Sequence, residues 1–330
     1  MSLVVDGRGP GSAGVIGVDF GGTKIEVALA DVRGVVLSRE RLETRAELGP
    51  DQALRRTAQA VRRLEKAACD EHGVPVGAWA AVCPGVIQDD HIRLTPNLPG
   101  WERLAISRRL AEEFGVHAVK VANDVRAGAL AEARFGALRG AEVGMYVSLG
   151  TGLGAALTIG GRVMFGAHQA AGEIGYLNPG TAPIDAVAAG HAPLEEIVGG
   201  LALSRRASAL LGTELTGREL FRRTDEPARE LVRRTLEVLA QALANLAVFV
   251  DPDRIVLGGG MMSDAETILP ALTELITAAT PFPPELRAAR FLNDASLHGA
   301  IALAVDGLGE NAGRADRSDQ PPNSSTVVER

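Results

Sequence analysis

From Val15 to Ala30 the chain is apolar at almost every position, apart from one short break: Asp19-Phe20-Gly21-Gly22-Thr23-Lys24. An apolar run split by glycines predicts two buried strands joined by a tight turn. Asp31-Val32-Arg33-Gly34 turns into a third predicted strand over 35–41. The arrangement recurs in the second half. There Gly150-Thr151-Gly152 separates the apolar runs 143–149 and 155–159, and Gly160-Gly161 leads on to Val163. Further strands are predicted at 79–82, 116–121 and 254–257. Between the strands the period changes to three or four. Leu54, Ala58, Val61, Leu64 and Ala68 mark a helix opened by Pro50-Asp51 and ended by Gly73. Helical patterns also cover 104–114, 127–135, 194–211, 228–250, 265–279 and 297–308. Strands and helices alternate in both halves, so the class is α/β.

The boundaries follow from the same pattern. Residues 1–13 read as a flexible lead, 14–122 as a first lobe joined by the closing helix 297–308, and 123–296 as a second lobe. Residues 309–330, rich in Asn, Asp, Ser, Pro and Arg, read as a disordered tail. A chain of 330 residues suits two such lobes. Its 46% hydrophobic residues with only 4% aromatics predict a core of Ala, Val, Leu and Ile. The net charge of −7 argues against a nucleic-acid binder that relies on a basic surface. No window approaches the ~20 apolar residues of a membrane span, and the first residues lack the apolar centre of a signal peptide. The only cysteines, Cys69 and Cys83, form no zinc-type spacing. A reduced, cytoplasmic setting is the expectation.

Glycine turns admit an anion to the backbone because no side chain blocks it. Two such turns, one in each half, suggest two lobes gripping one polyphosphate, as a nucleotide-dependent phosphotransferase would. On the first turn, Gly21, Gly22 and Thr23 are candidate phosphate donors, and Asp19 is a candidate Mg²⁺ site acting through water. A plain hairpin with a surface lysine would read the same way. No Gly-Lys-Ser/Thr closes the loop, so it is not a Walker A motif. The second turn matches Gly-x-Gly-x-x-Gly/Ala literally, with Glu173 at 23 residues after Gly150. That dinucleotide fingerprint needs a helix next, whereas a strand is predicted, which counts against a dehydrogenase. Asn123-Asp124 joins a buried strand to a helix. Asp124 there is either a general base or part of a helix cap. Gly258-Gly259-Gly260 either lets adenine approach or is a plain loop.

Taken together, these motifs resemble the ROK family of sugar kinases, over about residues 15–308. The resemblance is carried by Asp19 to Lys24, Pro84-Gly85, Asn97-Leu98-Pro99-Gly100-Trp101, Asn123-Asp124, Leu149 to Gly152, Gly172-Glu173-Ile174-Gly175 and Leu257 to Gly260. It implies a two-lobed, actin-like ATPase (ribonuclease H-like) fold, each lobe a mixed sheet flanked by helices. It also implies ATP and Mg²⁺ as cofactors, a sugar or polyol acceptor, and a homo-oligomer. Gly21, Gly22, Thr23, Lys24, Gly150, Thr151, Gly152, Gly258, Gly259 and Gly260 then hold ATP. Asp124 becomes the base, and Asn97, Asn123, Glu173, Tyr176 and Glu195 surround the sugar.

The chain departs from the family where a histidine usually follows Glu-Ile-Gly, because it has Tyr176. The family's zinc cysteines would fall at Ala186, Ala188 and Pro193. Structural zinc is therefore not expected, and the identity of the acceptor is open. Arg126 stands where a small or amide residue is common. Family repressors carry an N-terminal DNA-binding domain, for which residues 1–14 leave no room. The expected reaction is phosphorylation of a primary hydroxyl of a hexose, with glucose as default. An N-acetylhexosamine or a carbasugar or cyclitol is the alternative, and a non-catalytic sugar sensor is a further one.

Overall fold

A computed structural model describes residues 13–88, 91–93 and 98–318. The chain opens with an antiparallel meander, β1 (Gly14–Phe20), β2 (Lys24–Ala30) and β3 (Val36–Glu43). Helix α1 (Gly49–Asp70) leads to β4 (Val76–Val82), which pairs parallel with β1. A small hairpin, β5 (Val86–Ile87) and β6 (Ile92–Arg93), precedes α2 (Ile106–Phe114) and β7 (Lys120–Ala122). The first sheet has the order β3-β2-β1-β4-β7.

Helix α3 (Asp124–Phe135) leads to a second sheet. Its meander is β8 (Val143–Leu149), β9 (Leu153–Ile159) and β10 (Arg162–Val163). Four helices follow: α4 (Glu195–Val198), α5 (Gly200–Leu211), α6 (Gly217–Phe221) and α7 (Glu226–Val250). Then come β11 (Arg254–Gly258), α8 (Ala265–Ala279), β12 (Glu285–Ala288) and α9 (Ala295–Ser318). The order β10-β9-β8-β11-β12 reproduces that of the first sheet, with the same parallel and antiparallel senses.

Strand alternation divides the core. Ile16, Val18 and Phe20 face α1 and α2, where Phe20 meets Trp101 edge-on at 5.2 Å between ring centroids. Val15 faces the opposite way, with Ala28 and Ala80, onto Leu297 and Ile301 of α9. On β1 the same alternation sets Asp19 on the face away from Phe20. The second sheet packs Val147 and Leu257 against α5, α7 and α8 through Leu203, Leu243 and Leu272. Helix α3 serves both sheets. Its Ala127 packs with Val82 and Ala300, and its Ala129 packs with Tyr146 and Val256. Small alanines let these elements approach closely, which matches the aromatic-poor composition.

The structure departs from the sequence reading in several places. The helix expected over 194–211 breaks at Gly199 into α4 and α5. The strand expected at 116–121 is only Lys120–Ala122. Strand β12 was not expected. The tail expected to be disordered from 309 is helical as far as Ser318, because α9 meets no proline there to interrupt its hydrogen-bond ladder. Residues 1–12 and 319–330 lie outside the described residues. No helix among those described is long and apolar enough to cross a membrane.

Candidate active site

The first glycine turn is fixed by its own backbone and by one residue from β3's end. The Gly21 N–H donates to the Lys24 carbonyl (2.9 Å) and so closes the turn. Buried Thr44 donates its hydroxyl to the Gly21 carbonyl (2.6 Å) and its N–H to the Thr23 carbonyl (3.0 Å). Gly22 and Thr23 keep N–H groups without acceptors among the described residues. The second turn is held differently. Gly150 donates to the Gly152 carbonyl (3.1 Å), while Gly200 and Leu201, at the start of α5, donate to the carbonyls of Gly150 and Thr151 (both 3.0 Å). The Leu153 N–H donates to Glu195 Oε2 (2.8 Å). Here Thr151 and Gly152 keep free N–H groups. Sequence reasoning missed Thr44, whose partners lie too far along the chain to leave a local pattern.

Lys24 is ion-paired with Glu26, and Arg39 of β3 pairs with the same buried carboxylate at 2.7 Å. Burial would raise Glu26, but hydrogen bonds from Lys24 and Arg39 outweigh it and hold the carboxyl below its usual range. Glu26 is the cross-strand partner of Asp19. Asp19 is pushed up to about 7, first by burial, then by the charges of Asp124 and Glu26.

At the start of α3 the two polar residues separate into different roles. Asn123 is the helix cap, its Oδ1 accepting from the Arg126 N–H at 2.9 Å. That frees Asp124 from the capping role. Its carboxylate accepts from the Val125 N–H next to it, at 3.0 Å, and from its own backbone N–H. Asp124 is reachable by solvent through the cleft, yet the surrounding protein desolvates it and raises its pKa.

A cavity of about 260 Å³ joins Asp124 to Gly259 and Gly260, with Ser148, Asn293 and Ser296 as further polar walls. Gly259 has φ +90°, and a Cβ there would lie 2.6 Å from the Leu149 backbone. Only glycine lets the chain after β11 cross the end of β8 so closely. Asn293 and Ser296 follow the unexpected strand β12, and nothing in the sequence pattern marked them.

Glu173 is carried by a turn anchored on β9. Gly172 (φ +94°) accepts from the Ala155 N–H at 2.8 Å, and a side chain at 172 would overlap the Ala155 carbonyl. Burial raises Glu173, Arg126 partly opposes it, and Asp124 and Glu195 add to the rise. Half-exposed Tyr176 is raised by burial and then by Glu173 and Glu195. The fold therefore brings Asp19, Asp124, Glu173, Glu195 and Tyr176 into one electrostatic neighbourhood. Asn97 lies outside the described residues. Ala186, Ala188 and Pro193 offer no metal-ligating atom. Among the described residues no group of three or more His, Cys, Asp or Glu is arranged to hold a metal ion.

Two sheets of the same strand order, each with a glycine turn after its first strand, define the actin-like ATPase class of α/β folds. A family model described as "ROK family" matches residues 15–306. The chain belongs to the ROK family and is a sugar kinase. It is 32% identical to an N-acetylgalactosamine kinase of Shewanella sp., over 90% of this chain and 97% of that one. It is 30% identical to a kanosamine kinase of Amycolatopsis mediterranei, over 88% and 95% respectively. Among solved structures, a ROK hexokinase from Thermus thermophilus superposes with a TM-score of 0.78 at 33% identity, covering 90% of this chain and 99% of that one. A ROK family glucokinase from Streptomyces griseus, in complex with glucose and AMPPNP, gives 0.71 at 26%, covering 89% and 100%.

Proposed function

We propose that this kinase transfers the γ-phosphoryl group of ATP to a primary hydroxyl of a hexose, with glucose the first acceptor to test, as a cytoplasmic homo-oligomer. The observation that carries the proposal is the division of labour at α3. Asn123 caps the helix, so Asp124 is left at the cleft with its carboxylate engaged only locally, by the N–H groups of Asp124 and Val125. A carboxylate placed this way accepts the hydroxyl proton as the oxygen attacks in line. Its raised pKa makes it a stronger base than an ordinary carboxylate.

The residues suit a nucleotide with Mg²⁺. Free N–H groups at Gly22, Thr23, Thr151 and Gly152 fit phosphate oxygens. The poorly solvated oxygens of Asp19, with no cation nearby except those already engaged by Glu26, fit a hydrated divalent ion. When bound, Mg²⁺ neutralises phosphate charge as it develops. The two turns orient the phosphates from opposite sides, and positioning supplies most of the rate. Gly258 to Gly260 border the adenosine side. Asn123, Glu173 and Glu195 hold the sugar hydroxyls, and closure of the cleft excludes water.

A second reading, an amino- or N-acetyl-hexose acceptor, is favoured by Tyr176 beside Glu173 and Glu195, and by the names of two relatives. ADP release from Mg-ATP, measured across glucose, mannose, N-acetylated hexosamines, amino sugars and cyclitols, tests both. Turnover with glucose at the highest kcat/KM supports the first reading, and preference for an aminated ring supports the second. Silence across the panel while ATP still binds overturns both and leaves a sugar sensor.

A further inference from the structure

A cavity of about 840 Å³ is separate from the 260 Å³ cavity at Asp124 and shares no lining residue with it. It lies along the outer face of α3, between the β7 edge of the first sheet and the β10 edge of the second, with α9 as a further wall. Arg126, Arg134 and Arg162 line it, and among the described lining residues the carboxylate is that of Asp306, paired with Arg134 at 2.9 Å. This is a concentration of positive charge on a chain whose net charge is −7.

Arg126 is the pivotal group. It is only 4% exposed. Its Nη2 donates to the Gln169 carbonyl at 2.5 Å, and its guanidinium lies over the Phe165 ring at 5.5 Å. Its Nε is buried with no hydrogen-bond partner among the described residues, while Glu173 supplies a nearby negative charge. A buried cationic donor without an acceptor is costly, and native structures rarely leave one unless a water, ligand or ion supplies the acceptor. The ring and the carbonyl fix the guanidinium plane, so the remaining donors form a rigid fork suited to an oxyanion.

We infer that this groove is a second site, binding a small phosphate-bearing molecule. The cavity volume is that of a small-molecule pocket, and a polyanion such as nucleic acid would meet the repulsion of an acidic surface. The phosphate sits against Arg126 and Arg162, with Phe165 covering the rest of the ligand. Because Arg126 lies in the first turn of α3, two residues from Asp124, occupancy bears on the catalytic end of that helix. The inference stands on the groove alone and does not depend on which acceptor the kinase uses.

The test is calorimetric titration of the full chain with inorganic phosphate and, separately, with glucose 6-phosphate, together with the ¹⁵N resonance of the Arg126 Nε–H. The expected result is a binding event, apart from any at the glycine turns, that shifts this resonance and weakens with salt. Arg162→Glu, an exposed rim change, should weaken binding at least about tenfold, the worth of one charge-assisted contact. Lys24→Ala, at the phosphate turn, should leave it unchanged. Tighter binding of the sugar phosphate supports a phosphoester ligand, and equal binding supports free phosphate at the same site. If Lys24→Ala abolishes binding while Arg162→Glu does not, the anion is held by the glycine turns and the inference fails. It also fails if the Arg126 resonance does not move, or if neither probe binds.

Discussion

The two sheets have the same strand order, but their glycine turns are built differently. Two residues before the turn glycine, the first sheet has Asp19 and the second has Ser148. Opposite these, in register, stand Glu26 and Gly154. Like charges directly across a ladder are unfavourable, and the first sheet tolerates them only because Lys24 and Arg39 engage Glu26. The second sheet has no such pair, and its turn is held by Glu195 and the start of α5. A repeated topology has therefore not repeated the chemistry. In the proposed reaction, charge for a cation would sit on the first sheet, the second would contribute mainly backbone donors, and the proposed base at α3 would act beside them.

Removing the base should have the largest effect. Asp124→Ala is expected to lower kcat by about 10²–10⁴-fold, the usual worth of a general base, while AMPPNP still raises the Tm. Retained turnover would remove Asp124 from the mechanism. Next come the equivalent positions of the two sheets. Asp19→Asn should cost about 10²-fold or more, as loss of a charge-stabilising group does. Ser148→Ala should cost less than about tenfold, the scale of one neutral hydrogen bond. Equal losses from these two variants would dissolve the asymmetry.

The clamps give a smaller effect. Thr44→Val leaves the Gly21 carbonyl without its hydroxyl donor and should cost about 1–3 kcal/mol of stability, with KM for ATP rising more than kcat falls. Denaturant titration and steady-state kinetics check this.

A separate readout is the pH dependence of stability. Asp19 titrates near 3.8 when unfolded and about 7 when folded. The folded state therefore binds the extra proton, and stability falls as pH rises from about 4 to 7. Saturating Mg²⁺ with AMPPNP should offset that fall, and Asp19→Asn should flatten it. A Tm profile that slopes equally in wild type and Asp19→Asn would assign the slope to other groups. For turnover the sign is reversed. Asp124 must be ionised to accept a proton, so kcat/KM should fall on acidification, with its acid limb above the ordinary carboxylate range.

Much of this architecture is written in local pattern. Apolar runs interrupted by glycines mark β1–β2 and β8–β9, and the three-to-four period marks α1, α7 and α8, because each signal is complete within a few turns of chain. β12 was not legible. It has only four residues, Glu285–Ala288, half exposed after Pro283-Pro284, and its strand state comes from pairing with β11. The motif residues Asp19, Asp124 and Glu173 could be nominated from the chain, but whether Asn123 or Asp124 would cap α3 could not. Thr44 acts on a carbonyl 23 residues away, and Arg126 on one 43 residues away. By itself, the sequence determined most of the longer strands and helices and which side chains carry suitable chemistry, since both depend on covalent neighbours. Tertiary structure alone decided that the carboxylates of both halves come close enough to raise one another's pKa. It also left the Arg126 donor unpaired in a basic groove. Each of these depends on distances between residues far apart in the chain.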